Sequence, residues 1–338
     1  MRTAIVVDPR FRDHQTGEGH PERPERLLSV ERALHDWHGA PLEHVSARLA
    51  EEDEIRLAHT DDLYERIART QHMTHARIDA DTAVCDRSFE TALLAAGGLL
   101  ELSDAVATRA FRNGFAFVRP PGHHATAGQA MGFCLFNNVA IAARHLQRKH
   151  GYERIAILDW DLHHGNGTEA IFYDDPSVLY VSLHQYPFYP GTGAVTDTGR
   201  GDGLGFTVNV PFSAGVGDEG YALALEEIVA PVLRQFAPQF VLVSAGFDCH
   251  WRDPLGGMQV TEKGFLAMTR ILLQVAEDVA DGRLVAVLEG GYDLDAMRTS
   301  TEAVLDELTH GARGHAPGVH HTHAFDRLRQ VLSPHRRV

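Results

Sequence analysis

IAILDWDLHHGNG, residues 155–167, joins two kinds of sequence that rarely adjoin. Residues 155–158 form a short apolar run, the mark of a strand buried on both faces. Directly after it, residues 159–167 hold two acids, two histidines and two glycines, a density that core packing rarely demands. Equivalent apolar runs recur at 4–7, 115–118, 178–183, 206–210, 241–243 and 284–288. Segments of helical periodicity lie between many of them, at 24–37, 88–112, 135–150, 219–235, 262–281 and 294–308. This alternation predicts an α/β fold, a mostly parallel central sheet flanked by helices, in a single domain over residues 1–338. In such sheets the ligand site lies outside the carboxyl ends of the strands, so the residues following each run carry the functional reading.

With 44% hydrophobic and 23% charged residues, the 338-residue chain can bury a large core. It has no apolar run of about 18 residues or more, and its start, MRTAIVVDPRF, lacks the pattern of a signal peptide. No membrane association and a cytoplasmic location are therefore expected. Cys85, Cys134 and Cys249 are too scattered for a disulfide framework and read as reduced thiols. Lys plus Arg total 31 against 46 for Asp plus Glu, and the formal charge of −15 repels nucleic acid while favouring cationic ligands. Residues 187–205, rich in glycine and proline, predict a long loop. The tail, 311–338, packs on the domain or trails from it, and its His315, His320, His321 and His323 read as solvated decoration rather than a metal site.

On an extended strand, Asp159, Asp161 and His163 fall on one side, and His164 points elsewhere. Asp161 and His163 can both reach one ion, but a catalytic zinc site wants a third protein ligand and an open position. Asp248, just past the run at 241–243, completes the set; alone it would read as a loop cap. The run at 115–118 ends in RPPGHH, whose proline and glycine fix a turn presenting His123 and His124. Two carboxylates neutralise a Zn²⁺ ion, which then acidifies its water less than an all-histidine site does, so a general base must assist. Histidine, with an ordinary pKa of about 6.5, suits that task. The run at 284–288 leads to EGGY, where paired glycines turn the chain and bring Tyr292 toward the site, its hydroxyl suited to stabilising an oxyanion. Each of these residues alone has an unremarkable packing explanation; four clusters at four strand ends do not.

Taken together, RPPGHH at 119–124, GFCLFNN at 132–138, DWDLHHGNG at 159–167, SAGFD at 244–248 and EGGY at 289–292, with GEGHPERPER at 17–26, resemble the histone deacetylase superfamily. LEGGY, GFDCHWRDPLGG and Asn166, which stands where class I enzymes carry aspartate, look most like class II enzymes and bacterial deacetylase-like amidohydrolases, relatives of the acetylpolyamine amidohydrolases. The resemblance implies an arginase-deacetylase fold and zinc-dependent hydrolysis of an acetamide, on acetyl-lysine or a related N-acetylated amine. It implies that Asp161, His163 and Asp248 hold the metal, Zn²⁺ or, by ligand softness, Fe²⁺. His124 is then the proton shuttle oriented by Asn166, His123 paired with Asp159 gives electrostatic support, and Tyr292 binds the carbonyl. An uncharged Asn166 partner implies a lower pKa for His124 than a carboxylate would give. Gly132 lends a carbonyl to the substrate amide, and Phe133 and Tyr189 sandwich its aliphatic stem. Asp79 or Asp81 grips a substrate backbone or ammonium group. A structural K⁺ is implied at Asp159, Asp161, His163, Ser182 and Leu183, with a second at Phe172, Asp175, Val178 and Phe206.

Acetyl-lysine and an acetylpolyamine both place an alkyl chain and an acetamide before the metal and fit these motifs equally. Polyamine-selective relatives place an acid near the tunnel mouth where this chain has Leu255, which favours acetyl-lysine. A binuclear ureohydrolase shares the layout but needs further carboxylates where Cys249 and His250 stand. A non-catalytic acetyl-ligand sensor is disfavoured by His124 and Tyr292. The sequence allows a homo-oligomer.

Overall fold

We describe residues 2–311 and 323–335 of a computed structural model of the protein; His315, His320 and His321 lie outside them. The strands are β1 (Thr3–Val6), β2 (Leu42–His44), β3 (Ala76–Arg77), β4 (Ala83–Val84), β5 (Asn113–Ala116), β6 (Ile155–Asp159), β7 (Val178–Gln185), β8 (Thr207–Phe212), β9 (Phe240–Ala245) and β10 (Leu284–Leu288). The helices are α1 (Glu25–His35), α2 (Glu52–Ile55), α3 (Asp61–Ala68), α4 (Ser88–Ala107), α5 (Asn138–His150), α6 (Asn166–Phe172), α7 (Asp218–Ala224), α8 (Ala230–Phe236), α9 (Glu262–Val279), α10 (Leu294–His310) and α11 (Asp326–Leu332). β3 and β4 form a small antiparallel pair. The other eight strands form one sheet, ordered β2-β1-β5-β10-β9-β6-β7-β8, with every pairing parallel.

Both faces of the sheet are covered: consecutive residues of β6, β7, β9 and β10 are all buried, as parallel strands rich in valine, leucine and isoleucine require. α4 and α5 pack together against β1, β5, β6, β9 and β10, while α1, α9 and α10 form a second layer with α7 and α8. α5 starts where the Asn137 side chain accepts from the Ala140 N–H at 3.0 Å, and ends at Gly151, whose φ of 69° is left-handed. The segment 219–235, expected as one helix, is α7 and α8 joined by a π turn at Leu225–Val229. Pro231 has no N–H to give the preceding turn, and the ladder widens there.

The tail is only partly solvated decoration. His323 is exposed and paired with Asp326, but Phe325, Leu328 and Leu332 are buried in the common core, and Arg329 pairs with Glu227. Among the described residues, no helix is long and apolar enough to cross a membrane.

The order of strands positions the site. β5, β10, β9 and β6 are consecutive neighbours, and these four carry the motifs RPPGHH, EGGY, SAGFD and DWDLHHGNG at their carboxyl ends. Register levels the exits: Asp159 of β6 stands opposite Ser244 of β9, and Ala245 opposite Leu288 of β10. Beyond the same strand ends a buried ion network ties in the N-terminal segment. Glu22 accepts from Arg26 Nη1 at 3.0 Å and from Arg119 Nη2 at 2.7 Å, all three side chains having no solvent exposure. Arg119 also donates to the carbonyls of Phe11 and His14, and Arg26 to those of Gly291 and Glu289.

Burial raises the Glu22 pKa, but Arg119 and Arg26 outweigh it and hold the carboxyl well below its ordinary 4.5. Its contribution to stability is therefore present above pH 4.5 and lost as the pH falls toward the folded value. Glu22→Gln strands buried guanidinium charge and is expected to lower the unfolding free energy by about 3–5 kcal/mol. Arg87→Ala, which breaks a half-exposed pair with Glu90, should cost under about 1 kcal/mol. Urea unfolding of both variants checks this; equal losses would show that the network has no special weight.

Candidate active site

A metal-type donor set forms where β6 and β9 end. Asp161, His163 and Asp248 present carboxylate oxygens and an imidazole nitrogen that all lie within 4.8 Å of one another. His163 Nδ1 is 3.2 Å from Asp161 Oδ1 and 3.0 Å from Asp248 Oδ2. Backbone amides fix the carboxylates: Gly290 N–H donates to Asp161 Oδ2 and Leu162 N–H to Asp248 Oδ1, both at 2.8 Å. Glycine is required at 246 and 290, because a Cβ at 246 would collide with Asp161 and one at 290 with both carboxylates. Burial lowers the His163 pKa, but Asp161 and Asp248 overcome that and push it up to about 10. Burial and the neighbouring Asp161 raise Asp248 to about 7. The two buried carboxylates hold a proton on the imidazole between them, and a cation that displaced that proton would meet the same negative charge. The set's oxygen and nitrogen donors and full burial fit a borderline divalent ion such as Zn²⁺ or Fe²⁺.

The two adjacent histidines fall in different environments. His123 Nδ1 is 3.0 Å from Asp159 Oδ2, which also accepts from the Tyr180 hydroxyl at 3.0 Å. Burial pulls His123 down, but Asp161 and Asp159 more than offset it and hold its pKa well above the ordinary value. His124 Nδ1 is 2.7 Å from the Asn166 side-chain oxygen. Burial and the neighbouring His123 and His163 keep His124 well below its ordinary value, so it is the neutral member of the pair. The turn carrying both is held by Glu289, whose Oε2 accepts from Gly122 N–H at 2.7 Å and His123 N–H at 3.1 Å. His164 does point away, to Thr192 and Glu169.

A cavity of about 200 Å³ descends to these groups, lined by Asp81, His124, Gly132, Phe133, His163, Phe188, Tyr189, Leu255 and Tyr292. A larger apolar recess of about 570 Å³ near Phe212 and Phe325 contains none of the metal-type or histidine clusters. The substrate-contact residues read from the sequence, Gly132, Phe133, Tyr189, Leu255 and Asp81, thus meet in one cavity with Tyr292. Phe133 stands edge-on to Tyr292 at 5.9 Å, and Tyr189 edge-on to His124 at 5.2 Å. Gly132 and Phe133 both adopt positive φ, 56° and 68°. For Phe133 this costs about 1–2 kcal/mol, and its N–H is anchored on Thr82 Oγ1 at 3.2 Å. Burial raises the Tyr292 pKa well above ordinary, so its hydroxyl stays a donor; Arg26 stacks over its ring at 4.9 Å.

Several residues here were not assigned roles by the sequence reading. Phe188 stacks on His163 at 5.7 Å, and its only signal was adjacency to Tyr189. Asp253 Oδ2 accepts from the Tyr292 N–H at 2.6 Å, fixing the tyrosine's backbone. Of the residues implied for potassium, Ser182 lies opposite Asp159 in register, followed by Leu183. Phe172 and Asp175 share a turn that leads to Val178, and Phe206 precedes β8, its carbonyl accepting from Tyr180 N–H.

A profile of the histone deacetylase domain matches residues 20–308. A probable deacetylase of Archaeoglobus fulgidus is 44% identical over 87% of this chain and 82% of its own length. The human polyamine deacetylase HDAC10 is 45% identical over 82% of this chain but only 43% of its own length. The crystal structure of the HDA15 HD domain superposes with a TM-score of 0.89 at 38% identity, covering 98% of this chain and 94% of that one. The matched region runs from His20 through α10 and contains every group that converges on the cavity. The chain is therefore a deacetylase of the histone deacetylase family.

Proposed function

We propose that the chain removes the acetyl group from an acetylated lysine side chain by zinc-dependent hydrolysis. The observation that carries this reading is the convergence of the Asp161–His163–Asp248 donor set, neutral His124 and the Tyr292 hydroxyl on one narrow aromatic-walled cavity. An ion held by Asp161, His163 and Asp248 supplies Lewis acidity toward the amide carbonyl and the attacking water. His124, neutral and oriented by Asn166, accepts the water proton and later delivers it to the leaving amine. Tyr292 donates to the carbonyl oxygen as negative charge develops on it. His123, kept protonated against Asp159, adds fixed positive charge behind His124. Phe133, Phe188 and Tyr189 exclude water along the alkyl stem, with the Gly132 carbonyl toward the amide N–H. A structural K⁺ would sit near Ser182 and Leu183, on the strand beside the carboxyl end of β6.

Acetylpolyamine hydrolysis is the second reading, favoured by Asp81 in the cavity wall and by the likeness to HDAC10. Leu255, apolar in the same wall, favours the uncharged tail of a peptide substrate.

Acetate release from an acetyl-lysine peptide and from N-acetylputrescine, measured in parallel, separates the two. Faster peptide turnover is expected; faster acetylputrescine turnover would make the chain a polyamine enzyme, and acetate from neither would overturn both readings. Tyr292→Phe should lower kcat by about 10²–10³, as loss of one oxyanion donor does.

The acid limb of the kcat/KM profile marks protonation of His124 and is expected below pH 6.5, because burial and the other histidines lower that pKa. Asn166→Asp places a carboxylate on Nδ1, raises the pKa and should move the limb upward by roughly one to three units. An unmoved limb would remove His124 as the base.

Since His163 is held protonated up to about pH 10 and Asp248 is raised to about 7, Zn²⁺ uptake by metal-stripped protein near neutral pH should release between about one and two protons. Calorimetry in buffers of different ionisation enthalpy reads that number, and chelation should abolish turnover until metal is restored.

A further inference from the structure

A second cluster of metal-type side chains lies away from the active site. Asp104 of α4 offers Oδ1 to two imidazoles of α5, His145 Nε2 at 2.9 Å and His150 Nε2 at 2.6 Å. The three donor atoms lie within 4.8 Å of one another. Tetrahedral zinc, with bonds of about 2.0–2.2 Å, spaces its ligand atoms roughly 3.3 Å apart. The Asp104 oxygen therefore has to move out from its contacts of 2.9 and 2.6 Å to roughly 3.3 Å from each nitrogen to admit an ion.

The surroundings suit ligation. His145 is buried and its other nitrogen, Nδ1, faces Glu54 Oε1 at 3.7 Å, the outer carboxylate that orients a ligating imidazole. His150 stacks on Tyr152 with ring centroids 6.1 Å apart. The remaining oxygen of Asp104, Oδ2, holds Lys149 Nζ at 2.6 Å, on a side chain that is 53% exposed and free to swing into solvent. α5 is 13 residues long, about 20 Å. Its start buttresses the histidine turn through Asn137 and Asn138, and the cluster occupies its far half. A surface ion pair needs one cation per carboxylate; two imidazoles converging on one carboxylate oxygen are the donor set of a His₂-carboxylate metal site.

We propose that Asp104, His145 and His150 form a second site for a divalent transition metal, Zn²⁺ or a neighbour in the Irving–Williams order, that staples α4 to α5. Lys149 competes with the ion for Asp104 and sets how readily the site fills.

Metal counting on the 338-residue chain, by equilibrium dialysis across a series of free Zn²⁺ concentrations, tests this. Two ions per chain are expected, falling to one in His150→Ala and in the milder His150→Gln with deacetylase turnover unchanged. Asp161→Ala should retain this second ion. Lys149→Met should fill the second site at several-fold lower free Zn²⁺ without altering the first. Filling it should raise Tm by a few degrees in the parent and not in the His150 variants. One ion per chain at every concentration, or two ions retained in both His150 variants, would overturn the site. Unchanged filling in Lys149→Met would overturn the role of the lysine.

Discussion

Two carboxylates cannot be buried side by side without compensating positive charge, and much of the site follows from that requirement at Asp161 and Asp248. Neither has any solvent exposure, and each has one oxygen against His163 and the other on a backbone amide. The amides can reach them only because residues 246 and 290 have no side chain. Negative charge also sets the protonation of the adjacent histidines: His123, facing Asp161 and Asp159, keeps its proton, and His124, one residue on and turned to a neutral amide, does not. One electrostatic constraint at two strand ends thus leaves a neutral imidazole beside a protonated one.

A second buried balance adjoins the first. Glu22 sits between two guanidinium groups, one reaching the carbonyls of the loop that bears Tyr292, the other the N-terminal loop. The network is expensive to desolvate and adds little net stability over an apolar substitute, but its hydrogen bonds are directional. What it contributes is geometry: Arg26 lies over the Tyr292 ring while Asp253 fixes its backbone.

How much of this was legible in the sequence varies with length and range. β10 was read to the residue because five apolar residues stand between Arg283 and Glu289. β2, β3 and β4, of two or three residues, are too short to show a period, and nothing in their composition marks them. The motifs that line the cavity were legible because acids, histidines and glycines crowd where a strand must end. The supporting residues were not, because their meaning lies in partners far along the chain: Glu22 is 97 residues from Arg119, and Asp253 is 39 from Tyr292. A glutamate in GEGHPERPER carries no local sign that it will be buried between two arginines.

The sheet order also bears on how the molecule is made. β10, the last strand among the described residues, is not at an edge; it lies between β5 and β9 in the middle of the sheet. A nascent chain that has emerged only through β9 therefore holds two unpaired strand edges facing a gap, the kind of surface that recruits foreign strands. The same missing strand carries Glu289, which holds the histidine turn, and Tyr292. The cavity and the sheet are thus closed by the same late insertion, and a ribosome-bound fragment lacking it has neither its central strand nor the full cavity wall.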